Sequence, residues 1–419
     1  MNKTFHIITL GCKLNKYESD CMANLLIEKG YKYITNFEFA DIYIINTCAV
    51  TKESEKKSRQ YISKCLKLNP NAKIIICGCA SENNLEQFKN KTNVFSVIGN
   101  EKKDQIDKFI ESSVFKVYDF LPNYNNLKNP NINQTRAYLK VQDGCNNFCA
   151  YCLIPYLRGR SRSRELTECV KEAEFLSKTC KELVLTGIDL SSYQPSLIEL
   201  IEKLSHLTCR VRLGSLEQKI ITEEFMQRLQ KVKNFCPHFH LSLQSGDDAV
   251  LKRMNRHYTA QQYYEKVDLI RKYFPLANIT TDIIVGFAGE TEQEFLNTKS
   301  FVEKVNFGAV HVFPFSMREG TLASKIYKDT VNSEEKNKRV KLLQQVAKIS
   351  GLNYINKIKN VEHKVLTEDH ENDFVVGYTE SYIKVYLPKQ TALNQILTVK
   401  ITGEYLDGVK GEIINNEVK

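Results

Sequence analysis

Along residues 1 to about 115, short apolar runs alternate with longer stretches whose apolar positions recur at helical spacing. The pattern predicts strands at 5–10, 41–46 and 73–77 and helices at 17–29, where Gly30 is the stop, and 51–68. Such βαβα order implies parallel strands joined by right-handed crossovers, so loops leaving the strand C-terminal ends share one sheet edge. Residues 121–135 read LPNYNNLKNPNINQT, loop punctuation without periodicity, which places a linker at 116–135. Beyond it, strand candidates at 138–142, 183–186, 211–215, 238–243, 280–285 and 309–315 alternate with helical text, as in an open doubly wound sheet or a complete or partial barrel. A lysine-rich helix at 333–358 follows. Short β-type runs at 374–376, 382–387 and 397–401, with Gly377, Gly403, Gly408 and Gly411 nearby, predict a small all-β module. The expected class is α/β, with domains 1–115, 136–358 and 359–419.

Composition changes this picture little: 42% hydrophobic and 26% charged residues over 419 positions exclude disorder, collagen and coiled coil. No apolar run approaches the roughly 18 residues of a membrane span, and the chain enters a strand-like pattern directly, so a cytoplasmic protein without a membrane partner is expected. Charge is more informative. The net +10 suggests an acidic partner such as nucleic acid. Residues 361–419 hold six Lys against ten Asp plus Glu, a net of −4 that leaves +14 on residues 1–360. If RNA reaches the last module, long-range charge does not draw it there.

Thirteen cysteines, none beyond Cys236, mark the first two thirds for metal or redox chemistry. Cys145, Cys149 and Cys152 form a CxxxCxxC in the loop after the first strand of the central domain. Three thiolates so spaced can hold three irons of a 4Fe–4S cubane and leave the fourth open to a ligand. Zinc is the rival, but a structural zinc site closes with four ligands, and no Cys or His follows within fifteen residues. Cys12, Cys48 and Cys79 each sit one to three residues past a predicted strand. Their separations match no short metal motif; convergence on one sheet edge is the argument for them, and three buried apolar thiols the alternative. No phosphate loop, nucleophile elbow or HExxH spacing occurs, and the eight His read as surface or packing residues.

CNNFCAYC resembles the signature of radical S-adenosylmethionine enzymes. The resemblance implies a partial (β/α)6 barrel whose open iron chelates S-adenosylmethionine, with Tyr151 beside the adenine and a 5′-deoxyadenosyl radical as the reactive species. LGCKLNKYES around Cys12, INTCAVT around Cys48 and CGCA around Cys79 look like the N-terminal domain of the methylthiotransferases, where three such cysteines hold an auxiliary 4Fe–4S cluster. Cys77 rivals Cys79; the family pattern favours the cysteine after the glycine. VLTGIDLSSY, RVRLGSLE, HLSLQSGDDAVLKRMNRHY, TDIIVGFAGETEQEF and FPFSMREGT extend the resemblance over nearly the whole chain, and the last module resembles a TRAM domain. NTCAVT and LSLQSGDDAVLKRMNR are most similar to the branch that adds a methylthio group to C2 of N6-threonylcarbamoyladenosine at position 37 of tRNA.

That resemblance implies two 4Fe–4S clusters, S-adenosylmethionine, a tRNA anticodon loop rather than DNA, an external electron donor and a sulfur source. Gly187 and Asp189 are expected to line the cofactor loop. Glu217 is a cofactor contact or a strand cap, Gln244 and Ser245 are candidates for the cofactor ribose, and Arg253 and Arg256 for its carboxylate or for RNA phosphate. Arg158, Arg160, Arg162 and Arg164 suit tRNA phosphate, because guanidinium is bidentate and always charged; a solvated basic loop is the alternative. The competing functions are methylthiolation of N6-isopentenyladenosine or of a ribosomal protein, and a non-enzymatic metal-containing RNA-binding protein.

Overall fold

The strands β1 Thr4–Thr9, β2 Lys32–Tyr33, β3 Ile42–Thr47, β4 Lys73–Gly78, β5 Val94–Ile98 and β6 Phe115–Lys116 form one parallel sheet in the order β2-β1-β3-β4-β5-β6. Residues 3–120, 124, 127–130 and 135–414 are described by this computed structural model. The central strands are buried on both faces, hence their near-continuous apolar text. Phe5, Ile7, Ile44 and Ile75 pack under the helices Lys13–Glu28 and Ile106–Glu111. Ile8, Ile45, Ile74 and Ile76 face Ile62 and Cys65 of the helix Lys52–Leu68. The periodicity located β1, β3, β4 and both long helices, but missed β2, β5 and β6. The first helix starts at Lys13 rather than 17, directly after Cys12. Of the expected linker, 121–123, 125–126 and 131–134 lie outside the described residues.

The second domain carries β7 Arg136–Lys140, β8 Gln142–Asp143, β9 Arg162–Ser163, β10 Glu182–Thr186, β11 Arg210–Leu213, β12 His238–His240, β13 Asn278–Val285 and β14 Ala309–Pro314. Parallel triplets β11-β10-β7 and β12-β13-β14 are linked by the single bridges Val211–Phe235 and Leu216–Leu241, so six parallel strands follow one another as a partial barrel. These are the six strands read from the sequence. The antiparallel ribbon β8–β9 clamps the two ends of the loop that contains Cys145, Cys149 and Cys152. Residues lining a barrel at its strand C-terminal ends are where chemistry is expected.

The last domain is a closed barrel of β15 Glu362–Glu371, β16 Phe374–Tyr378, β17 Lys384–Pro388, β18 Ile396–Tyr405 and β19 Gly408–Ile413, in the order β15-β16-β17-β19-β18. The strand expected from 382 begins at Lys384, because Tyr382 adopts a positive φ of 64° in the turn before it. This module docks on the strand N-terminal ends of the partial barrel. Arg210 donates to the carbonyls of Lys364 and Tyr378 at 2.9 and 3.0 Å, Arg212 donates to that of Glu380 at 3.2 Å, and Arg136 pairs with Glu368. All three arginines also bind the buried Glu182, whose carboxyl they hold far below the usual carboxylate range despite burial. Part of the module's acidity is thus spent on docking. Among the described residues no helix is long and apolar enough to cross a membrane.

Candidate functional site

Cys12, Cys48 and Cys79 follow the C-terminal ends of β1, β3 and β4, neighbours in the sheet, so their thiols meet at one edge. Two glycines make the approach possible. Gly11 has φ +89°, and a Cβ there would lie 2.5 Å from Cys48 Sγ; Gly78 has φ +103°, and a Cβ would strike the Thr47 carbonyl at 2.5 Å. Burial pushes the Cys48 thiol up to about 11, with Cys79 and Cys12 as neighbouring like charges, and burial also raises Cys12 while Arg158 opposes it. Cys77 lies inside β4 among the apolar residues under the sheet, with Sγ 3.8 Å from Asn46 Oδ1. The structure therefore brings Cys79, not Cys77, beside Cys12 and Cys48. Asn100 donates from Nδ2 to Cys79 Sγ at 3.6 Å and to the Leu157 carbonyl at 2.7 Å. Sequence reading missed Asn100.

The central loop is held by backbone bonds from three directions: Cys145 N–H to the Gly159 carbonyl at 3.1 Å, Ala150 N–H to Met254 at 2.8 Å, and Ala323 N–H to Ala150 at 2.7 Å. Burial lifts the Cys145 and Cys152 thiols to about 11 and 12. Such thiols ionise only as a metal takes them, so cluster loading releases protons. With three thiols and no fourth cysteine in either loop, both triads fit a site-differentiated cluster better than a closed zinc site.

Around this loop the strand ends supply polar groups. Asn147 Nδ2 donates to Asp189 Oδ2 at 3.1 Å, while Asp189 Oδ1 is buried with no hydrogen-bond partner. An orphaned buried carboxylate oxygen beside Cys145 fits a donor brought by a ligand. Gln142, which sequence reading missed, orders the floor: its Oε1 accepts from Asp189 N–H at 2.8 Å, its Nε2 donates to the Gly144 carbonyl at 2.7 Å, and a Cβ at Gly187 would sit 2.9 Å from Oε1. Arg256 donates to Cys149 Sγ at 3.3 Å and pairs with Glu217, whose carboxyl burial pushes up against the pull of that guanidinium. Tyr151 packs against a cluster that includes Met254, Phe287 and Phe315. Gln244 takes a positive φ of 73° at the same rim.

Two expectations for this rim need correction. Ser245 is fully buried; its hydroxyl meets Thr298 at 3.1 Å and accepts from the Asp247 N–H, a role in loop closure. Arg253 turns away to Glu294, with both guanidinium nitrogens 2.7–2.8 Å from the carboxylate. Its place is taken by Arg256.

The arginines after the central loop also depart from expectation, and they explain how the two triads face each other. Arg158 is 1% exposed and binds Glu18 at 2.9 Å and Asp143 at 3.2 Å; Arg162 bonds Glu101 at 2.9 Å, and Arg164 bonds Glu172 at 2.7 Å. These three are buried across the contact between the first two domains and are not a phosphate surface. Only Arg160 of the four is exposed, over the Phe148 ring. Glu18 further binds Lys103 at 2.6 Å and Lys140 at 2.7 Å. The residues just past Cys152, Leu153 and Leu157, pack on Ala49, Cys79 and Ala80, so the two cysteine loops abut.

Residues 139–302 match the Radical SAM superfamily, and residues 4–99 match the Uncharacterized protein family UPF0004. The chain is similar to the threonylcarbamoyladenosine tRNA methylthiotransferase MtaB of Thermotoga maritima, at 41% identity over 91% of each chain. It is also similar to that of Bacillus subtilis, at 35% identity over 99% of this chain and 97% of the relative. In fold it resembles the radical S-adenosylmethionine methyltransferase TsrM of Kitasatospora setae, with a TM-score of 0.55 and 12% identity over 75% of each chain.

Proposed function

Because the chain belongs to the radical S-adenosylmethionine tRNA methylthiotransferases, we propose that it adds a methylthio group to C2 of N6-threonylcarbamoyladenosine at position 37 of tRNA. The observation that carries this is the pair of cysteine triads on abutting loops, one at the sheet edge of the first domain and one at the mouth of the partial barrel. Sulfur insertion at an unactivated C–H needs cofactor chemistry, and the protein's share is placement.

Cys145, Cys149 and Cys152 would hold a 4Fe–4S cluster, which would supply reductive cleavage of S-adenosylmethionine with electrons from an external donor. Cys12, Cys48 and Cys79 would hold a second one to carry the sulfur, with one S-adenosylmethionine supplying the methyl group, another supplying the radical that removes the C2 hydrogen, and a separate source replenishing the sulfur. Asp189, Glu217, Arg256, Gln244 and Gly187 surround the cofactor, and Tyr151 flanks its adenine. The anticodon-loop adenosine is already single-stranded, so extruding it costs little. Arg160 is the one member of its arginine series left to meet RNA phosphate.

The deciding test is mass spectrometry of nucleosides digested from total tRNA, in a host lacking this gene and in the same host expressing it. Appearance of 2-methylthio-N6-threonylcarbamoyladenosine is the expected result. The isopentenyl product instead would keep the chemistry and overturn the substrate, and no new tRNA nucleoside would redirect the search to a protein substrate. A second prediction concerns the rim. Arg256→Gln leaves the half-buried Glu217 without its guanidinium partner, and S-adenosylmethionine binding to the reconstituted protein is expected to weaken about tenfold to a hundredfold; undiminished binding would remove this pair from the cofactor site.

A further inference from the structure

The short helix Ile154–Leu157 follows the central cysteine loop. Leu153, just before it, and Leu157 pack on Ala49, Cys79 and Ala80 beside the sheet-edge triad. Tyr156 takes no part in that packing and is 50% exposed. Among the described residues its hydroxyl has no hydrogen-bond partner, and its ring meets one other, that of Phe148, edge to face with centroids 5.9 Å apart. Phe148 lies between Cys145 and Cys149, so the aromatic pair belongs to the cysteine loop itself. On the facing loop Val50, next to Ala49, is 60% exposed. An open apolar rim therefore borders both triads.

The pair is held in place with care. Phe148 has φ +48°, a left-handed conformation that a bulky L residue rarely adopts. Asn255 secures it, donating from Nδ2 to the Phe148 carbonyl at 2.9 Å. Arg160 is fixed from the other side: the Cys145 N–H bonds the Gly159 carbonyl at 3.1 Å, the Ser161 N–H bonds Asn146 Oδ1 at 3.2 Å, and a Cβ at Gly144 would sit 2.0 Å from the Arg160 carbonyl oxygen. The Arg160 guanidinium lies over the Phe148 ring, 4.4 Å from its centroid. It is exposed, and among the described residues it has neither an ion pair nor a hydrogen bond, whereas Arg158, Arg162 and Arg164 are each bound to a buried glutamate. An open aromatic face beside an unpaired guanidinium is what holds single-stranded nucleotides, because every base can stack and every nucleotide brings a phosphate. A strained residue bracing such a surface is itself a pointer to function.

We propose that Tyr156 and Arg160, braced by Phe148, hold the tRNA nucleotide next to the target adenosine, its base stacked on the Tyr156 ring and its phosphate on the Arg160 guanidinium. The inference rests on the tRNA reading above and deepens it. An adenosine extruded toward the cysteine loops leaves its neighbour without a stacking partner, and the Tyr156 ring supplies one. A protein partner with an apolar face would instead bury the Arg160 charge without a counter-charge, which is costly. The cofactor has its own aromatic: Tyr151 packs in a separate cluster with Met254 and Phe287. Stacking tolerates any base, so the platform positions the anticodon loop and leaves the choice of target to other residues.

The test uses the reconstituted holoenzyme and fluorescent anticodon stem-loops bearing N6-threonylcarbamoyladenosine, either intact or abasic at the nucleotide before or after it, with affinity read by anisotropy. Tyr156→Ala is expected to weaken binding of the intact stem-loop about fivefold to a hundredfold and to have little effect on one of the abasic stem-loops, where the base it serves is already missing. Tyr156→Phe, which keeps the ring, should bind the intact stem-loop as the wild type does. Arg160→Gln should weaken all three and reduce the steepness of log affinity against log salt by about 0.7. Iron content of about eight per chain and wild-type S-adenosylmethionine affinity in each variant show that the fold and the cofactor site are intact. Equal weakening of all three stem-loops by Tyr156→Ala, or none, would overturn the platform, as would a fall in S-adenosylmethionine affinity that tracks the loss of the ring. Turnover is read separately: the expected affinities together with conversion of an N6-isopentenyladenosine stem-loop alone would uphold the platform and overturn the substrate reading, a different failure.

Discussion

Replacing Cys48 with Ala is expected to lower bound iron from about eight to about four per chain while S-adenosylmethionine cleavage continues and methylthio transfer to tRNA falls below detection. The reason lies in the separation of the two ligand sets. Cys48 meets Cys12 and Cys79 at the edge of the first sheet, whereas Cys145, Cys149 and Cys152 are fixed by the β8–β9 ribbon and by backbone bonds to Met254, Gly159 and Ala323. Removing one thiol from the first set leaves each of those bonds in place. A side chain of Ala also fits beside Gly11, since it is smaller than the thiol already accommodated there. The measurements are iron per chain, 5′-deoxyadenosine formed and methylthiolated nucleoside formed. Transfer that survives with four irons would show that the sheet-edge triad is not the sulfur-carrying site, and loss of cleavage together with transfer would show that the two sites are not independent. Cys77→Ala is the internal control. Its thiol packs inside β4, so it should retain about eight irons.

The sheet edge was legible because β1, β3 and β4 are buried on both faces and therefore written as unbroken apolar text. The six strands of the partial barrel were legible for a related reason, and the cysteine spacing within one loop is a local signal. What stayed hidden was carried by pairs of residues far apart in sequence. Arg158, Arg162 and Arg164 look like a phosphate-binding run when read alone; only the fold shows that Glu18, Glu101 and Glu172 meet them, two of these from the first domain. Ser245 and Arg253 lie in one stretch of sequence, yet Ser245, in the loop before the helix Asp248–Arg253, turns inward to Thr298, and Arg253, at the end of that helix, reaches Glu294. The acidity of the last module, which argued against an RNA surface, is used in part against Arg136 at the barrel base.

Glu18→Ala tests the contact between the first two domains and should reproduce the uncoupled phenotype by a different route. Glu18 is 1% exposed and accepts from Lys103, Lys140 and Arg158, the last two also paired with Asp143 at 2.7 and 3.2 Å. Its loss leaves Lys140 and Arg158 a second carboxylate, but leaves Lys103 fully buried with only Asn46 and Asn100 as partners. Stranding a buried charge costs about 3–5 kcal/mol, a cost that falls on the first domain, while the contact itself loses the bonds of Glu18 to Lys140 and Arg158. The expected result is about eight irons, continued S-adenosylmethionine cleavage, a lowered denaturation midpoint and strongly reduced methylthio transfer. Iron content therefore separates this variant from Cys48→Ala. Adding Lys103→Met removes the stranded charge, so the double variant should recover most of the lost stability, because an apolar replacement of a buried pair is often neutral. The same network fixes the sign of the acid response. Its cations hold Glu18 well below the ordinary carboxylate range and Asp143 at about 2, so their contribution is full above about pH 4 and is lost as pH falls through those lowered values. Glu18→Ala should therefore flatten the low-pH limb of the stability profile as well as lower the whole curve. An unchanged midpoint and an unchanged acid limb would mean that the domains are held by their apolar contacts alone, and that Arg158 is buried for a reason other than docking.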